Sequence, residues 1–183
     1  MTVPADDYLG RSLQEFLDAV AAVEPAPGGG AVCAVSVAMA AGLAAMAAGF
    51  SRGHWADAEE VGRAAEEIRA RVAPLAAADA AAYRQVLAAL ARPMADPDRA
   101  AAVRSALSHA ADVPLAVAEA GAEVVALAAR LQRHGNPNLR GDAVTARQVA
   151  GAAVRSAGGL VALNLRDADD PRRQRAEQLA RSS

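Results

Sequence analysis

Apolar residues recur along most of the chain at the three- and four-residue spacing of an amphipathic α-helix, and no segment shows the alternation of a half-buried strand. A capping box of Ser12 and Glu15 opens the first helical segment, whose apolar residues share one face up to about Glu24. The next segment, Ala31 to Phe50, contains no charged residue and is apolar on nearly every side. A helix of this kind belongs in the middle of a bundle or at a subunit interface.

The remaining sequence predicts further helices, and prolines mark their starts and breaks. The segment from Asp57 to Leu90 repeats charge and alanine in a helical rhythm, with Pro74 expected to kink it. Further helices are predicted after Asp96-Pro97, from about Pro114 to Arg133, from Gly141 to Leu165, and after Asp170-Pro171. We therefore expect an all-α, up-and-down bundle in which residues 1–183 form one domain around a buried, alanine-rich central helix.

Composition narrows the class of protein. The chain has 19 basic and 21 acidic residues and a formal net charge of −2, so it lacks the basic excess of a general nucleic-acid binder. Alanine dominates the hydrophobic residues and aromatic residues make up only 3%, so the core must pack by close backbone approach. The uncharged central segment is long enough to span a bilayer, but its alanine and glycine content and the lack of an aromatic belt favour a buried helix over a membrane partner.

Two features bear on the compartment. Cys33 is the only cysteine, so no internal disulfide can form, and it lies among small apolar residues like a core residue. The acidic start at Asp6 and Asp7 is unlike the basic region that opens a secretory signal. We therefore expect a cytoplasmic protein.

The segment from Pro25 to Gly30 reads Pro-Ala-Pro-Gly-Gly-Gly and leads straight into the uncharged helix. Prolines fix φ and glycines carry no Cβ, so the chain can turn sharply and expose backbone N–H groups at a helix N-terminus. Such a terminus favours an anionic ligand group. Pro27, Gly28, Gly29 and Gly30 are therefore candidate binding residues, although an ordinary loop before a helix gives the same pattern.

A carboxylate in an apolar stretch is a second candidate. Asp79 lies within the segment from Leu75 to Ala82, where an unpaired charge would be costly to bury. It is therefore either a pocket residue or the partner of an arginine such as Arg84. Neither His54 nor His109 shows metal-ligand spacing with the other or with Cys33, so we expect no metal.

A third candidate segment again opens a helix. It reads His-Gly-Asn-Pro-Asn-Leu-Arg-Gly-Asp from His134 to Asp142. The Asp142 carboxylate comes just after the Asn-Pro-Asn turn, where it either faces a pocket or caps the helix. Asn136 and Asn138 can pair with amide or carbonyl groups of a ligand, but turn formation explains both without one.

Several motifs recur in an order that is more specific than any one of them. They are Leu13-x-x-Phe16-Leu17, the Pro25 to Gly30 turn, Asp79-Ala80-Ala81-Ala82-Tyr83, Asp112-Val113-Pro114-Leu115, and Gly135-Asn136-Pro137-Asn138 shortly before Asp142. Nearly the whole chain thereby resembles the cyclodeaminase/cyclohydrolase family of folate one-carbon metabolism. The resemblance implies an all-helical domain, assembled as a homodimer or larger oligomer, that binds tetrahydrofolate derivatives without a metal or other cofactor.

The resemblance implies one of two reactions. A cyclohydrolase adds water to 5,10-methenyltetrahydrofolate and gives 10-formyltetrahydrofolate, whereas a cyclodeaminase closes the ring of 5-formiminotetrahydrofolate and releases ammonia. We favour hydrolysis because no formiminotransferase domain accompanies the helices here. A non-catalytic folate-binding or helical interaction module is the remaining alternative.

Both reactions pass through a tetrahedral carbon between two nitrogens, so both need a proton carrier and a negative charge near the cation. Asp142 is the first candidate for that role, because its place after the turn at a helix start lets its side chain face a pocket, and Asp79 is the candidate to assist it. The turn at Gly28–Gly30 would hold part of the pterin or the anionic tail, and the guanidinium of Arg140 would attract the tail.

Three positions depart from the family pattern. Hydroxyl-bearing residues are usual where this chain has Ala26, Ala31 and Gly141. Binding through backbone N–H groups needs no side-chain hydroxyl and is therefore compatible with these changes.

Overall fold

The computed structural model describes residues 7–183 as eight α-helices and one 3-10 turn, with no strand among these residues. The helices are α1 (Leu13–Ala21), α2 (Gly29–Gly49), α3 (Ala58–Val72), α4 (Leu75–Leu90), α5 (Arg99–Ala110), α6 (Asp112–His134), α7 (Arg140–Asn164) and α8 (Pro171–Ser182), and the 3-10 turn is Pro137–Leu139. The prediction of an all-α fold is confirmed. The acidic residue Asp6 lies outside the described residues.

Two helix boundaries differ from the expectation. The segment predicted as one kinked helix from Asp57 to Leu90 is two helices, because Pro74 ends α3 and stands at the N-cap of α4. The first helix stops at Ala21 rather than near Glu24, since Ala22 is already extended as the chain enters the proline turn.

The core forms where α2 crosses α6 and α7. Val37, Val124 and Val154, one from each of these helices, are fully buried. At the crossing, a Cβ on Gly121 of α6 would lie 2.6 Å from Cγ2 of Val154 and 3.2 Å from Cγ2 of Val37. The helices therefore approach closely enough that only glycine fits this position, as expected for a core with few large side chains.

The central helix is covered on one side only. By length and composition α2 could cross a membrane, but it packs against α3, α4, α6 and α7 as the core helix of the bundle. Its other side carries apolar residues that are between 37% and 63% exposed: Val32, Met39, Met46 and Phe50. We call these four residues the uncovered α2 face, and their spacing of seven, seven and four places them along one side of the helix.

Candidate active site

The central helix begins without a side-chain cap. Gly28 is its N-cap residue and has no side chain, so the first N–H groups of α2 have no carbonyl partner within the helix. One of them is satisfied by another helix, because Asp79 of α4 accepts a hydrogen bond from the Ala31 N–H. A carboxylate thus lies at the positive end of the α2 dipole.

This approach depends on Gly30. A Cβ on Gly30 would lie 2.0 Å from Oδ1 and 2.6 Å from Oδ2 of Asp79, so the carboxylate fills the space that any larger side chain would need. A Cβ on Gly28 or Gly29 would meet nothing closer than 3.8 Å. Of the three glycines, only Gly30 is required by contact with Asp79.

Asp79 is half-buried, and burial raises the pKa of its carboxyl above the ordinary value. The hydrogen bond from Ala31 acts in the opposite direction and is the weaker influence. No cation is among the causes of the shift, and Arg84 lines a different depression on the far side of the proline turn. Of the two roles considered for Asp79, the geometry therefore favours a pocket residue.

The pocket beside Asp79 has a volume of about 320 Å³. It lies between the N-terminus of α2, the middle of α4, and the end of α7. Its walls are Pro25, Ala26, Gly28, Gly29, Gly30, Asp79, Tyr83, Ala110, Pro114, Leu160, Leu163 and Asn164. Asp79 and the three glycines therefore meet in one pocket, whereas Pro27 is buried and lines the neighbouring depression.

Two polar pocket residues were absent from the predicted site. Tyr83 follows Asp79 by one helical turn, so both side chains lie on the same face of α4. Asn164 ends α7 and donates from Nδ2 to the Ala110 carbonyl at 3.1 Å. The i, i+4 spacing of Asp79 and Tyr83 could have indicated the first, but no local pattern marks the second.

The other predicted residues lie at the opposite end of the molecule. Asp142 stands in the first turn of α7, while Asn164 ends the same helix beside the pocket. Their separation is 22 residues, or about 33 Å at the rise of an α-helix. One chain therefore does not bring Asp142 to Asp79, and the same holds for the neighbouring Asn136, Asn138 and Arg140.

The Asn-Pro-Asn turn is fixed by hydrogen bonds within the protein. The Asn136 side chain donates to the Phe50 carbonyl at 3.1 Å and accepts from the Asn138 N–H at 3.0 Å. The Asn136 N–H donates to the Oγ of Ser51 at 2.8 Å, and this buried hydroxyl donates in turn to the Ala47 carbonyl. These bonds join the turn to the end of α2, whereas Asn138 and Arg140 are exposed and Asp142 is half-buried.

His134 lies at the same far end, where its ring contacts that of Trp55 with a centroid distance of 5.6 Å. Over residues 7–183, no three His, Cys, Asp or Glu side chains group in a way that could hold a metal ion.

Comparison with known proteins supports the folate resemblance. The family model described as Formiminotransferase-cyclodeaminase matches residues 12–181. A methenyltetrahydrofolate cyclohydrolase from Methylorubrum extorquens is 34% identical over 170 residues, which span 87% of this chain and 82% of that protein. The formimidoyltransferase-cyclodeaminase of Sus scrofa is 31% identical, but the match covers 91% of this chain and only 33% of that longer protein.

A solved structure agrees with these sequence matches. The crystal structure of a formiminotetrahydrofolate cyclodeaminase from Thermotoga maritima superposes with a TM-score of 0.82 at 31% sequence identity. The superposition covers 95% of this chain and 88% of that one.

Proposed function

Because the chain belongs to the formiminotransferase-cyclodeaminase family and its relatives are folate one-carbon enzymes, we propose that it hydrolyses 5,10-methenyltetrahydrofolate to 10-formyltetrahydrofolate. The cyclohydrolase relative supports this choice, since the match covers most of both chains. Cyclodeamination of 5-formiminotetrahydrofolate is the alternative, supported by the Thermotoga maritima enzyme. The observation that carries the proposal is the Asp79 carboxylate held between a helix start and a pocket.

Asp79 has the chemistry that the reaction needs. The substrate carries a cationic one-carbon bridge between N5 and N10, and a nearby carboxylate stabilises that charge. Water adds to the bridging carbon and gives up a first proton, and the bond from that carbon to N5 then breaks as N5 takes up a proton. The hydroxyl left on the carbon releases its proton to solvent as the formyl C=O forms, so the positive charge of the substrate leaves as H⁺. A carboxylate with a raised pKa is a better base than an ordinary one, so Asp79 can accept the proton of water and return it to N5.

The remaining walls can hold the substrate. The first N–H groups of α2 have no partner within the helix and stand at the pocket, so they suit a carbonyl or another electron-rich group of the pterin. Leu160 and Leu163 offer apolar surface to the ring system. The amide of Asn164 uses Nδ2 to bind Ala110, which directs its oxygen to a donor such as a ring N–H.

A second copy of the chain would give Asp142 a role. We propose a homodimer that buries the uncovered α2 face, because four exposed apolar side chains on a core helix are costly in water. If the two α2 helices run antiparallel about a two-fold axis, the Gly28 end of one meets the Phe50 end of the other. Asp142 of the second copy then approaches Asp79 of the first.

A cytoplasmic location remains a prediction from composition.

The test follows the decay of methenyltetrahydrofolate absorbance. Purified protein should accelerate the decay relative to buffer, and Asp79→Asn, which keeps size but removes the charge, should lower kcat/KM by roughly 10² to 10⁴. Acceleration that survives Asp79→Asn would remove Asp79 from the mechanism. If the protein binds the folate without accelerating decay, ammonia release from 5-formiminotetrahydrofolate decides whether it is the cyclodeaminase.

Mixing two variants tests the shared site. Asp79→Asn and Asp142→Asn should each be inactive if each centre combines Asp79 of one copy with Asp142 of the other. Unfolding and refolding them together should restore about a quarter of wild-type activity, since half of the dimers are mixed and each has one intact centre. Full activity of Asp142→Asn alone would contradict a catalytic role for Asp142.

A further inference from the structure

A groove adjoins the Asp79 pocket and shares Asn164 with it. The groove has a volume of about 490 Å³ and lies between α5 and the segment that follows α7. Helix α5 joins the two spaces, since its residues from Arg99 to Ser108 line the groove and its last residue, Ala110, lines the pocket. The groove and the pocket are therefore adjacent along α5, on either side of the Asn164–Ala110 hydrogen bond.

The groove has an apolar floor and a cationic rim. Val103 and Leu107 of α5 are half-buried one turn apart, and the buried Leu165 faces them from the end of α7. Three guanidinium groups belong to the same lining, those of Arg99, Arg104 and Arg166. Apolar surface beside guanidinium groups suits an aromatic linker that ends in carboxylates.

Two of these arginines have no polar partner within residues 7–183. Among the described residues, Arg104 and Arg166 make no hydrogen bond or ion pair, and both are exposed. Arg99 is held in place because it donates to the carbonyls of Arg92 and Leu90, each at 3.0 Å. The rim thus combines one fixed guanidinium with two that can turn toward a ligand.

Acidic residues line the opposite wall. Asp170 is paired with Arg172 at 2.8 Å and adds little net charge to the groove. Asp167 accepts a hydrogen bond from the Asp169 N–H and is exposed, and no cationic side chain of residues 7–183 pairs with it. An anion entering the groove is therefore attracted by Arg99 and Arg104 of α5 and by Arg166 on the opposite wall, and it is repelled by Asp167 beside Arg166.

The depression on the other side of the pocket is less suitable than the α5 groove for binding a carboxylate. It contains Arg11, Arg84 and Glu24 beside the proline turn. Both arginines already interact with other groups, and the guanidinium of Arg11 lies 5.4 Å from the centre of the Tyr8 ring. A carboxylate binding there would have to compete with existing contacts and with Glu24.

We propose that the α5 groove binds the p-aminobenzoyl-glutamate part of the folate, with Arg104 and Arg166 receiving its carboxylates; this rests on the proposed function. Arg104 lies six residues before Ala110, about 9 Å along the helix, which leaves room for a linker between the pterin and the first carboxylate. Because tail contacts are the same before and during reaction, they set KM and leave kcat alone.

The test compares substrates that carry one glutamate with those that carry three γ-linked glutamates. Arg104→Gln should raise KM for the single-glutamate substrate about three- to tenfold, and Arg104→Gln/Arg166→Gln should raise it further for the triglutamate. Asp167→Asn should lower KM because it removes the repelling charge. Arg181→Gln, which removes an equal charge from an exposed site on α8, is the matched control.

The outcomes separate this inference from the proposed function. A double variant whose KM matches the wild type for both substrates would overturn the groove assignment while the enzyme assignment stands. A wild-type protein that neither binds nor converts a tetrahydrofolate would overturn both. A rise in KM that Arg181→Gln reproduces would show a general charge effect and would also reject the groove.

Discussion

Replacing Gly30 by alanine tests the link between the start of α2 and the chemistry of the pocket. The new Cβ would lie 2.0 Å from Oδ1 and 2.6 Å from Oδ2 of Asp79, whereas carbon and its neighbours pack at about 3.5 Å or more. The carboxylate must therefore retreat by roughly 1 to 1.5 Å. That movement breaks its hydrogen bond with Ala31.

The Gly30→Ala substitution should lower the free energy of unfolding slightly and the activity strongly. Losing a hydrogen bond to a charged group costs about 1.5 to 3 kcal/mol, and alanine returns up to about 1 kcal/mol because it favours the helix more than glycine does. The free energy of unfolding should fall by about 0.5 to 3 kcal/mol, so the protein stays folded. A displacement of about 1 Å in a catalytic group, however, can lower kcat/KM by roughly 100-fold.

The assay pairs urea denaturation with methenyltetrahydrofolate turnover. Gly29→Ala is the matched stability control, because its Cβ would make only an ordinary contact at 3.8 Å with Leu160. In a cycle with Asp79→Ala, the substitution at Gly30 should cost almost nothing further, since the group it displaces is gone. If Gly30→Ala keeps kcat/KM within about threefold of wild type, the present position of Asp79 is not needed for catalysis.

Two further predictions concern the core and pH. Gly121→Ala should lower the free energy of unfolding by about 1 to 3 kcal/mol because its Cβ would overlap Val154, whereas Gly159→Ala, with nothing within 4 Å, should be neutral or stabilising in the same denaturation series. Because burial raises the folded-state pKa of Asp79, its contribution to stability is fully present below the unfolded-state pKa and is lost as pH rises through the folded-state pKa. The free energy of unfolding of Asp79→Asn should thus exceed that of the wild type by the largest amount near neutral pH. An equal difference at pH 7 and pH 4 would contradict the raised pKa of Asp79.

Local patterns were sufficient for most of the elements of the fold. The capping box at Ser12 and Glu15 is formed, and the uncharged segment is the core helix, because both depend on residues close in sequence. The break at Pro74 was expected only as a kink. Whether a proline bends a helix or divides it depends on the packing of the two halves, which the sequence does not state.

The candidate site required tertiary information. The helical rhythm places Asp79 and Tyr83 on one face but does not say that the face meets the start of α2. The sequence also could not show that Asp142 and Asp79 lie at opposite ends of the molecule, because the order of the helices leaves open which helix ends come together. Asn164 illustrates the same limit, because its role depends on where α7 ends relative to α5.

The start of α2 explains how one carboxylate can serve both fold and chemistry. An ionised Asp79 is costly to bury, but the positive end of α2 and the Ala31 N–H offset part of that cost. One N–H partner leaves most of the acceptor sites of the carboxylate unused. The side chain of Ala31 is fully buried while its N–H binds Asp79, so this contact needs no hydroxyl at that position. A cationic substrate can therefore approach Asp79 from the pocket without displacing the bond that holds it.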